Sequence, residues 1–334
     1  MNTIRSHAYP ARSEDRGAPI ATRLNRTVTL AVMGSLGLLG SATVLGQQDG
    51  EKKPGNGTEF SAEIAVGGEY DSNVSVEEVD AAISESDYAL TLELGLGLQQ
   101  PLGDNTELGL SYDFSQSAYD EFSQVDRQTH LLGADLALDL DAVDSNLSLF
   151  YVHSRLDGDE FLELYRVSPA VSGFLAKKWY ARGAYVYSDK NIDQSPERDA
   201  DTHAVEGDLY FFRRGLRSYF NAGYRFKDED AVADRLDYQS HSFKLRYIHR
   251  IELWSRMTKL ELAWRYEDRD YSAITPSIGE DRDDQRHRWR ADYEIPVWRG
   301  GAVQLYVSYA DYDSNYQPVD YTQTIAGSRF IYRW

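Results

Sequence analysis

The chain of 334 residues contains no cysteine, three methionines and nine prolines. Without cysteine it has no disulfide framework, no thiolate zinc site, no lipid attached through cysteine and no thiol catalysis. Its mean hydropathy of -0.55 is too polar for a bundle of transmembrane helices. With 54 acidic residues against 35 lysines and arginines, the net charge is -19. This balance argues against a nucleic-acid partner, because phosphate binding needs clustered basic residues.

Aromatic residues are abundant, with 24 tyrosines, 12 phenylalanines and 6 tryptophans. The apolar residues recur with a period of two, most clearly over 88–98, where a tyrosine and five leucines alternate with smaller or polar residues. The same alternation returns over 132–140 and 260–266. A helix would scatter these leucines around its axis, so the pattern predicts β-strands with one apolar face.

About fourteen runs of this kind follow one another from residue 58 onward, and many have ten or more residues. Strands of that length cross a bilayer at a steep tilt. The predicted fold is all-β, a closed antiparallel transmembrane β-barrel of about fourteen strands over 58–334. The predicted strands lie near 58–71, 87–99, 106–117, 128–140, 146–155, 162–173, 178–189, 201–212, 216–227, 237–249, 257–269, 283–297, 301–312 and 321–334.

Short turns and longer acidic links alternate between these strands. The predicted links on the long side are 72–86, 118–127, 156–161, 189–200, 228–236, 270–282 and 313–320. Transmembrane barrels place short turns in the periplasm and long loops outside the cell. We therefore expect an integral protein of the bacterial outer membrane with both termini in the periplasm. Outer-membrane lipid and lipopolysaccharide would be its surroundings.

The amino terminus has the order of a secretory signal peptide. Arg23 and Arg26 precede an apolar stretch from Val28 to Leu45, and small residues follow. We predict a signal peptide over 1–46 and a flexible periplasmic leader over 47–57. The alternative is a membrane anchor helix, which the stretch barely has the length to form.

The polar faces of the predicted strands carry many ionisable residues. Such groups do not fit a dry core, because each unpaired buried charge costs several kcal/mol, whereas a wet lumen accommodates them. Acids predominate in the first eight strands and cations in the last six. This charge distribution has two open interpretations. In the first, an electric field across the lumen orients polar solutes; in the second, ion pairs inside the barrel clamp it shut. The candidate lumen-lining residues are Glu93, Asp135, Arg182, Glu206, Asp208, Arg225, Lys244, Arg246, Glu261, Arg265, Arg288, Arg290, Asp292 and Arg329.

Catalytic and metal-binding patterns are missing from this sequence. No nucleophile elbow, phosphate loop, metalloprotease motif or calcium loop occurs in a credible context. The histidines are scattered through different strands without ligand spacing. We therefore predict no enzyme activity, no catalytic residue, no metal site and no cofactor.

The chain ends on a strand in which Phe330, Tyr332 and Trp334 share one face. Outer-membrane barrel precursors commonly finish on an aromatic residue preceded by alternating apolar positions. We expect these three residues to form an assembly signal recognised by the barrel assembly machinery.

The first predicted strand closes on Gly67-Gly68-Glu69-Tyr70-Asp71-Ser72-Asn73-Val74. This segment resembles the opening of a set of outer-membrane barrels, among them the carboxy-terminal barrel of surface lipoprotein assembly modifiers. That family has about fourteen strands and an aromatic end, and its members help to display lipoproteins on the cell surface. The resemblance covers the barrel, without the family's helical-repeat domain, and it transfers no functional residue.

Three functions are compatible with these features. The first is a porin-like conduit for small polar solutes through the charged lumen. The second, implied by the resemblance, is an accessory in the surface display or export of another protein, which would then be a partner. The third is a structural or adhesive barrel that acts through its acidic outer loops.

Overall fold

The computed structural model describes residues 57–334, and within them the chain forms sixteen strands and five short 3-10 helices. The predicted signal peptide over 1–46 and leader over 47–57 lie outside the described residues, apart from Gly57. The strands are β1 (Glu59–Asp71), β2 (Ser75–Val76), β3 (Ala81–Ala82), β4 (Asp87–Pro101), β5 (Thr106–Tyr119), β6 (Arg127–Asp139), β7 (Asp144–Leu156), β8 (Asp159–Ala176), β9 (Trp179–Ile192), β10 (Ala200–Phe212), β11 (Ser218–Ala231), β12 (Tyr238–Leu253), β13 (Arg256–Thr275), β14 (Glu280–Trp298), β15 (Gly301–Ser314) and β16 (Tyr321–Arg333).

The 3-10 helices are Glu77–Val79, Ser123–Val125, Pro196–Arg198, Asp234–Leu236 and Gln317–Val319, all in links between strands. Within residues 57–334, no helix is long and apolar enough to cross a membrane.

Fourteen of the described strands form a closed antiparallel barrel in which each strand pairs with the next along the chain. β2 and β3, of two residues each, pair only with each other and lie within the first loop, residues 72–86. In the barrel, β1 therefore pairs with β4. β1 also pairs with β16, for example Ala65 with Ile331, and this pairing closes the barrel. The predicted fold class is confirmed.

Side chains alternate between the two surfaces of the barrel, as the period of two requires. In β10 the buried positions are Thr202, Ala204, Glu206, Asp208 and Tyr210, whereas the residues between them are exposed. On the outer surface Leu90 is 73% exposed and Leu96 is 53% exposed. The inner face is therefore polar and the outer face apolar, the inverse of a soluble barrel.

The two ends of the barrel differ in their connections. One end, called the short-turn end, carries the start of β1, the end of β16 and the turns 102–105, 140–143, 177–178, 213–217, 254–255 and 299–300. The opposite, long-loop end carries the links 72–86, 120–126, 157–158, 193–199, 232–237, 276–279 and 315–320. Two of these links, 157–158 and 276–279, are as short as the turns at the other end.

The predicted long link over 270–282 is wrong, because most of it is strand. β13 continues to Thr275 and β14 begins at Glu280, with a register shift between Asp270 and Ile274. Beyond the apolar band of a membrane barrel both faces of a strand meet water, so charged residues such as Asp281 do not end it. Loss of apolar alternation marks the edge of that band rather than the end of the strand.

Candidate functional site

The predicted lumen-lining residues lie on inner-face positions of the barrel wall, and most of them form ion pairs with one another. The largest group, the Glu206 cluster, consists of Arg166, Arg182, Glu206, Asp208, Arg225 and Lys244. In this cluster Lys244 Nζ lies 2.8 Å from Asp208 Oδ1, and Asn221 donates to the same oxygen at 3.0 Å. Arg166 is the member that the sequence did not single out, because its neighbours on β8 are apolar.

A second group joins β14, β15, β16 and β4 through a row of hydrogen bonds. Arg290 Nε donates to Asp292 at 2.9 Å, and Gln304 Nε2 donates to the same carboxylate at 3.0 Å. Gln304 in turn accepts from Arg329 Nε at 2.7 Å, and Arg329 forms an ion pair with Glu93. Since β16 pairs with β1, this row spans the seam where the barrel closes.

The remaining predicted residues stand outside these two groups. Arg246 forms an ion pair with Glu261, which also binds Lys259 at 2.9 Å. Asp135 lies apart and accepts a hydrogen bond from Ser148. Arg265, in the described part of the chain, forms no hydrogen bond, ion pair or ring contact with another residue.

The acids expected in the first eight strands and the cations expected in the last six do not form two separate walls of the barrel. They pair locally instead. Glu206 and Asp208 on β10 meet cations on the neighbouring strands β9 and β11 and on the strands one further away, β8 and β12. At the seam, Glu63 and Glu93 meet Arg333 and Arg329, because closure makes the first and last strands neighbours. Charged side chains on nearby strands therefore pair along the inner face.

The first loop is held at its base by the segment that carried the family resemblance. Asp71 accepts hydrogen bonds from the backbone N–H of Asn73 at 3.0 Å and from Gln323 Nε2 at 2.9 Å. Asn73 donates to the carbonyl of Thr322 at 3.2 Å and accepts from the N–H of Ser84 at 3.0 Å. These two side chains thus tie both stems of the loop to β16.

The tip of the first loop reaches across the long-loop end of the barrel. Glu77 forms an ion pair with Arg288 on β14, and Glu78 lies 2.9 Å from Arg127 on β6. Asp80 is the third anchor and contacts both β14 and the link between β9 and β10. These contacts attach one short segment to three separate parts of the barrel rim.

Asp80 has two arginine partners. Arg282 donates to its two carboxylate oxygens at 2.8 and 3.2 Å, and Arg198 donates at 2.8 Å. Burial alone would raise the pKa of this carboxyl group, but the hydrogen bonds and charges of Arg282 and Arg198 outweigh it and hold the pKa well below its usual range. Asp80 is therefore ionised throughout the physiological pH range.

Sequence reasoning missed the role of the first loop, treating residues 72–86 as an acidic outer link. Its signal was the Tyr70-Asp71-Ser72-Asn73-Val74 segment, where short polar side chains able to bond the backbone precede a valine. In the structure Val74 is fully buried, and its N–H donates to the carbonyl of Glu85 at 3.0 Å. The segment folds the loop inward.

The predicted assembly-signal residues lie on the outer surface at the short-turn end. The ring of Phe330 lies 5.0 Å from that of Trp298, and Tyr332 lies edge-on to Trp334 at 4.8 Å. The N–H of Trp334 donates to the carbonyl of Ala62 at 3.0 Å, while its side chain is 61% exposed.

The model of the family described as surface lipoprotein assembly modifier matches residues 60–299 of this chain. Among solved structures, the anion-selective porin from Comamonas acidovorans is similar, with 8% identity, a TM-score of 0.48, and coverage of 83% of this chain and 99% of that chain. OmpT, an outer membrane protein of Vibrio cholerae, gives 9% identity, a TM-score of 0.48, and coverage of 83% and 97%. OccK1 (OpdK) of Pseudomonas aeruginosa gives 10% identity, a TM-score of 0.43, and coverage of 83% and 99%. A comparison with curated proteins gives no match.

The family match extends from β1 into the turn after β14, so it includes the first loop and most of its anchors. A closed barrel with an apolar outer face has its natural place in the outer membrane. This chain is an outer-membrane β-barrel and belongs to the surface lipoprotein assembly modifier family.

Proposed function

We propose that this barrel is an accessory in the assembly of lipoproteins on the cell surface, with the first loop as the part that meets the client. The single observation that carries the proposal is the family match over residues 60–299. The geometry supports it because Glu77 and Asp80 hold the first loop against β14, where the loop covers part of the long-loop end. A client or partner that displaced Glu77 and Asp80 would release the loop.

The orientation follows from the same proposal. The long-loop end faces the outside and both termini face the periplasm, as for barrels with short periplasmic turns. An epitope inserted in the 276–279 turn is then labelled on intact cells, whereas one inserted in the 254–255 turn is labelled only after the outer membrane is permeabilised. The reverse labelling pattern would contradict this orientation.

The decisive experiment compares a deletion strain with the same strain carrying the gene on a plasmid. Lipoproteins on intact cells are labelled with a membrane-impermeant reagent, and total lipoprotein is measured after lysis. We expect the labelled fraction to fall in the deletion strain while the total stays constant, and to recover on complementation. Unchanged surface labelling would refute the accessory function.

A porin-like conduit is the second candidate, and Arg265 favours it. This half-buried side chain makes no direct hydrogen bond or ion pair with a described residue, although the charges of Glu267 and Glu206 act on it, and an aqueous passage would solvate it. Purified protein in planar bilayers should then give discrete conductance steps. Conductance without any change in surface lipoproteins would favour the conduit, and a closed barrel with lost surface lipoproteins would favour the accessory.

A further inference from the structure

Four turns at the short-turn end of the barrel are rich in cations. The turns 177–178, 213–217, 254–255 and 299–300 connect successive strand pairs from β8 to β15, so they follow one another along the rim. We call their exposed cations, together with the first residue of β13, the basic arc. The basic arc consists of Lys177, Lys178, Arg213, Arg214, Arg217, Arg256 and Arg299.

Acids of the described part of the chain do not pair with the basic arc. Glu252, near the end of β12, is the one carboxylate close in sequence to these four turns. Within residues 57–334 no member of the arc forms an ion pair. Arg217 donates towards Met257 Sδ at 3.9 Å, and Arg256 donates to the carbonyl of Pro296 at 2.8 Å, so both of these contacts are to uncharged groups.

The other turns of the same rim have the opposite charge. The turns 102–105 and 140–143 contain Asp104 and Asp141 and no lysine or arginine. The whole chain has a net charge of -19 and therefore repels anions at long range. Attraction of an anionic partner to this end of the barrel would thus be confined to the basic arc.

Exposed tryptophans accompany the basic arc at the edge of the apolar outer face. Trp179, which directly follows Lys178, is exposed, and its ring lies 4.8 Å from that of Phe211. Trp254 and Trp298, in or beside two other turns of the arc, are exposed as well. Tryptophan favours the level between the acyl chains and the headgroups of a bilayer, because its ring is apolar and its N–H is polar. The cations beside these rings therefore lie at the level of the headgroups.

We propose that the basic arc binds the headgroups of anionic glycerophospholipids, of the phosphatidylglycerol class. Clustered lysines and arginines next to a membrane are attracted by anionic lipids, and guanidinium groups present paired donors that match phosphate oxygens. An acidic protein would meet the same charges, but the tryptophans at the membrane edge favour lipid. This binding goes beyond the proposed function. Its place in the periplasmic leaflet follows from the orientation proposed above, whereas the binding itself does not depend on it.

The test uses the full mature chain folded into phosphatidylethanolamine vesicles that contain the same fraction of either brominated phosphatidylglycerol or brominated phosphatidylethanolamine. Bromine on the acyl chains quenches the fluorescence of nearby tryptophans, so the quenching measures which lipid is enriched at the protein. We expect brominated phosphatidylglycerol to quench more strongly, and this preference to fall at high salt, which screens exposed charges. Equal quenching by the two lipids at low salt would overturn the proposal and leave an acidic protein as the partner of the arc.

The R213Q/R214Q variant removes two cations of the arc from an exposed turn. Its preference for phosphatidylglycerol should fall about tenfold, the effect expected of two cations near a membrane surface. The matched control is R155Q/R235Q, which removes the same charge near the long-loop end, where Arg235 pairs with Glu197 at 2.7 Å. This control should keep the preference.

An unchanged preference in R213Q/R214Q, or an equal loss in R213Q/R214Q and R155Q/R235Q, would overturn the proposal. If R213Q/R214Q does not fold, K177Q/K178Q takes its place, because it removes two cations from a different turn of the arc. The preference for phosphatidylglycerol should fall in K177Q/K178Q as well, and an unchanged preference there would also overturn the proposal.

Discussion

Arg282 donates to both carboxylate oxygens of Asp80, a residue 202 positions earlier in the chain. The guanidinium group lies on β14 and the carboxylate on the first loop, so this contact fixes the loop against the wall. Both side chains are buried, at 3% and 7% exposure. Removing the charge of Asp80 breaks a buried ion pair, which destabilises the contact between loop and wall, although Arg282 keeps a second ion pair with Asp284 at 2.8 Å.

The D80N variant should therefore release the first loop without unfolding the barrel. We expect its local opening to become easier by about 1 to 3 kcal/mol, because the charged hydrogen bonds of Asp80 with Arg282 and Arg198 are lost. Limited proteolysis of the purified protein should cut within residues 72–86 much faster than in the unmodified chain. The D157N variant, at an exposed turn between β7 and β8, is the control, and equal cleavage rates in D80N and D157N would contradict the anchoring role.

The pH dependence of the same contact follows from the lowered pKa of Asp80. An acid whose folded-state pKa lies below its unfolded value, about 3.9 for aspartate, stabilises the folded state fully above that unfolded value. The stabilisation is lost only as the pH falls through the lower, folded pKa. The proteolysis rate of the first loop should thus be constant from pH 8 to pH 5, and an opening transition within that interval would contradict the assignment.

The sequence predicted the barrel because its strands repeat one physical pattern fourteen times. The spacing of Leu90, Leu92 and Leu94 alone predicts a strand with one apolar face. In a membrane barrel this face contacts lipid and is therefore the outer one. Strand ends were less certain, as the extension of β13 to Thr275 illustrates. There the chain leaves the apolar band and the alternation that predicted the strand no longer applies.

The candidate site was predictable in its residue types but not in its contacts. Glu206 and Arg225 were recognised as inner-face charges from alternation, yet their pairing depends on strand register. The contact of Asp80 with Arg282 depends on how an irregular loop folds, which no periodicity encodes. In the sequence, Arg265 cannot be distinguished from the other inner-face cations. It makes no direct ion pair because its register partners are Lys244 on β12 and Arg288 on β14, which are also cations.

Asn73 is the next position where a small change should have a local effect. The N73A variant loses the side-chain bonds to the carbonyl of Thr322 and the N–H of Ser84. We expect a local destabilisation of about 1 kcal/mol, the net contribution of a typical hydrogen bond. Hydrogen exchange at the Ser84 amide should accelerate accordingly, whereas N191A, at an exposed asparagine of β9, should leave this amide protected. An unchanged exchange rate in N73A would refute the anchoring of the loop stems.

Trp334 offers a way to separate assembly from stability. The W334A variant keeps the backbone bond to Ala62 and loses only an exposed ring that contacts Tyr332. We expect several-fold less folded barrel in the outer membrane of cells, with an unchanged unfolding temperature for the purified protein. The control is W254A, since Trp254 is 90% exposed in a short turn. Equal membrane yields for W334A and W254A would argue against an assembly signal.

Arg329 tests whether the seam of the barrel depends on its interior charges. Its side chain is 5% exposed, donates to Gln304 at 2.7 Å and forms an ion pair with Glu93. The R329Q variant therefore interrupts the row of hydrogen bonds that joins β15, β16 and β4. Glu93, whose side chain is 25% exposed, then loses its cation, and the expected loss is about 1 to 3 kcal/mol of unfolding free energy. The folded form, which migrates differently from the boiled form on a gel, should convert at a lower temperature in R329Q.

The double variant R329Q/E93Q distinguishes the ion pair from simple loss of an arginine. If the uncompensated charge of Glu93 causes the instability, neutralising it restores part of the lost unfolding temperature, because no partly buried carboxylate is then left without its cation. If loss of the guanidinium group over the ring of Tyr306 causes it, the double variant is no more stable than R329Q; the guanidinium carbon of Arg329 lies 5.4 Å from the centre of that ring. Restoration in the double variant would identify the ion pair between β16 and β4 as a contribution to the stability of the seam, in addition to the backbone pairing of β1 with β16.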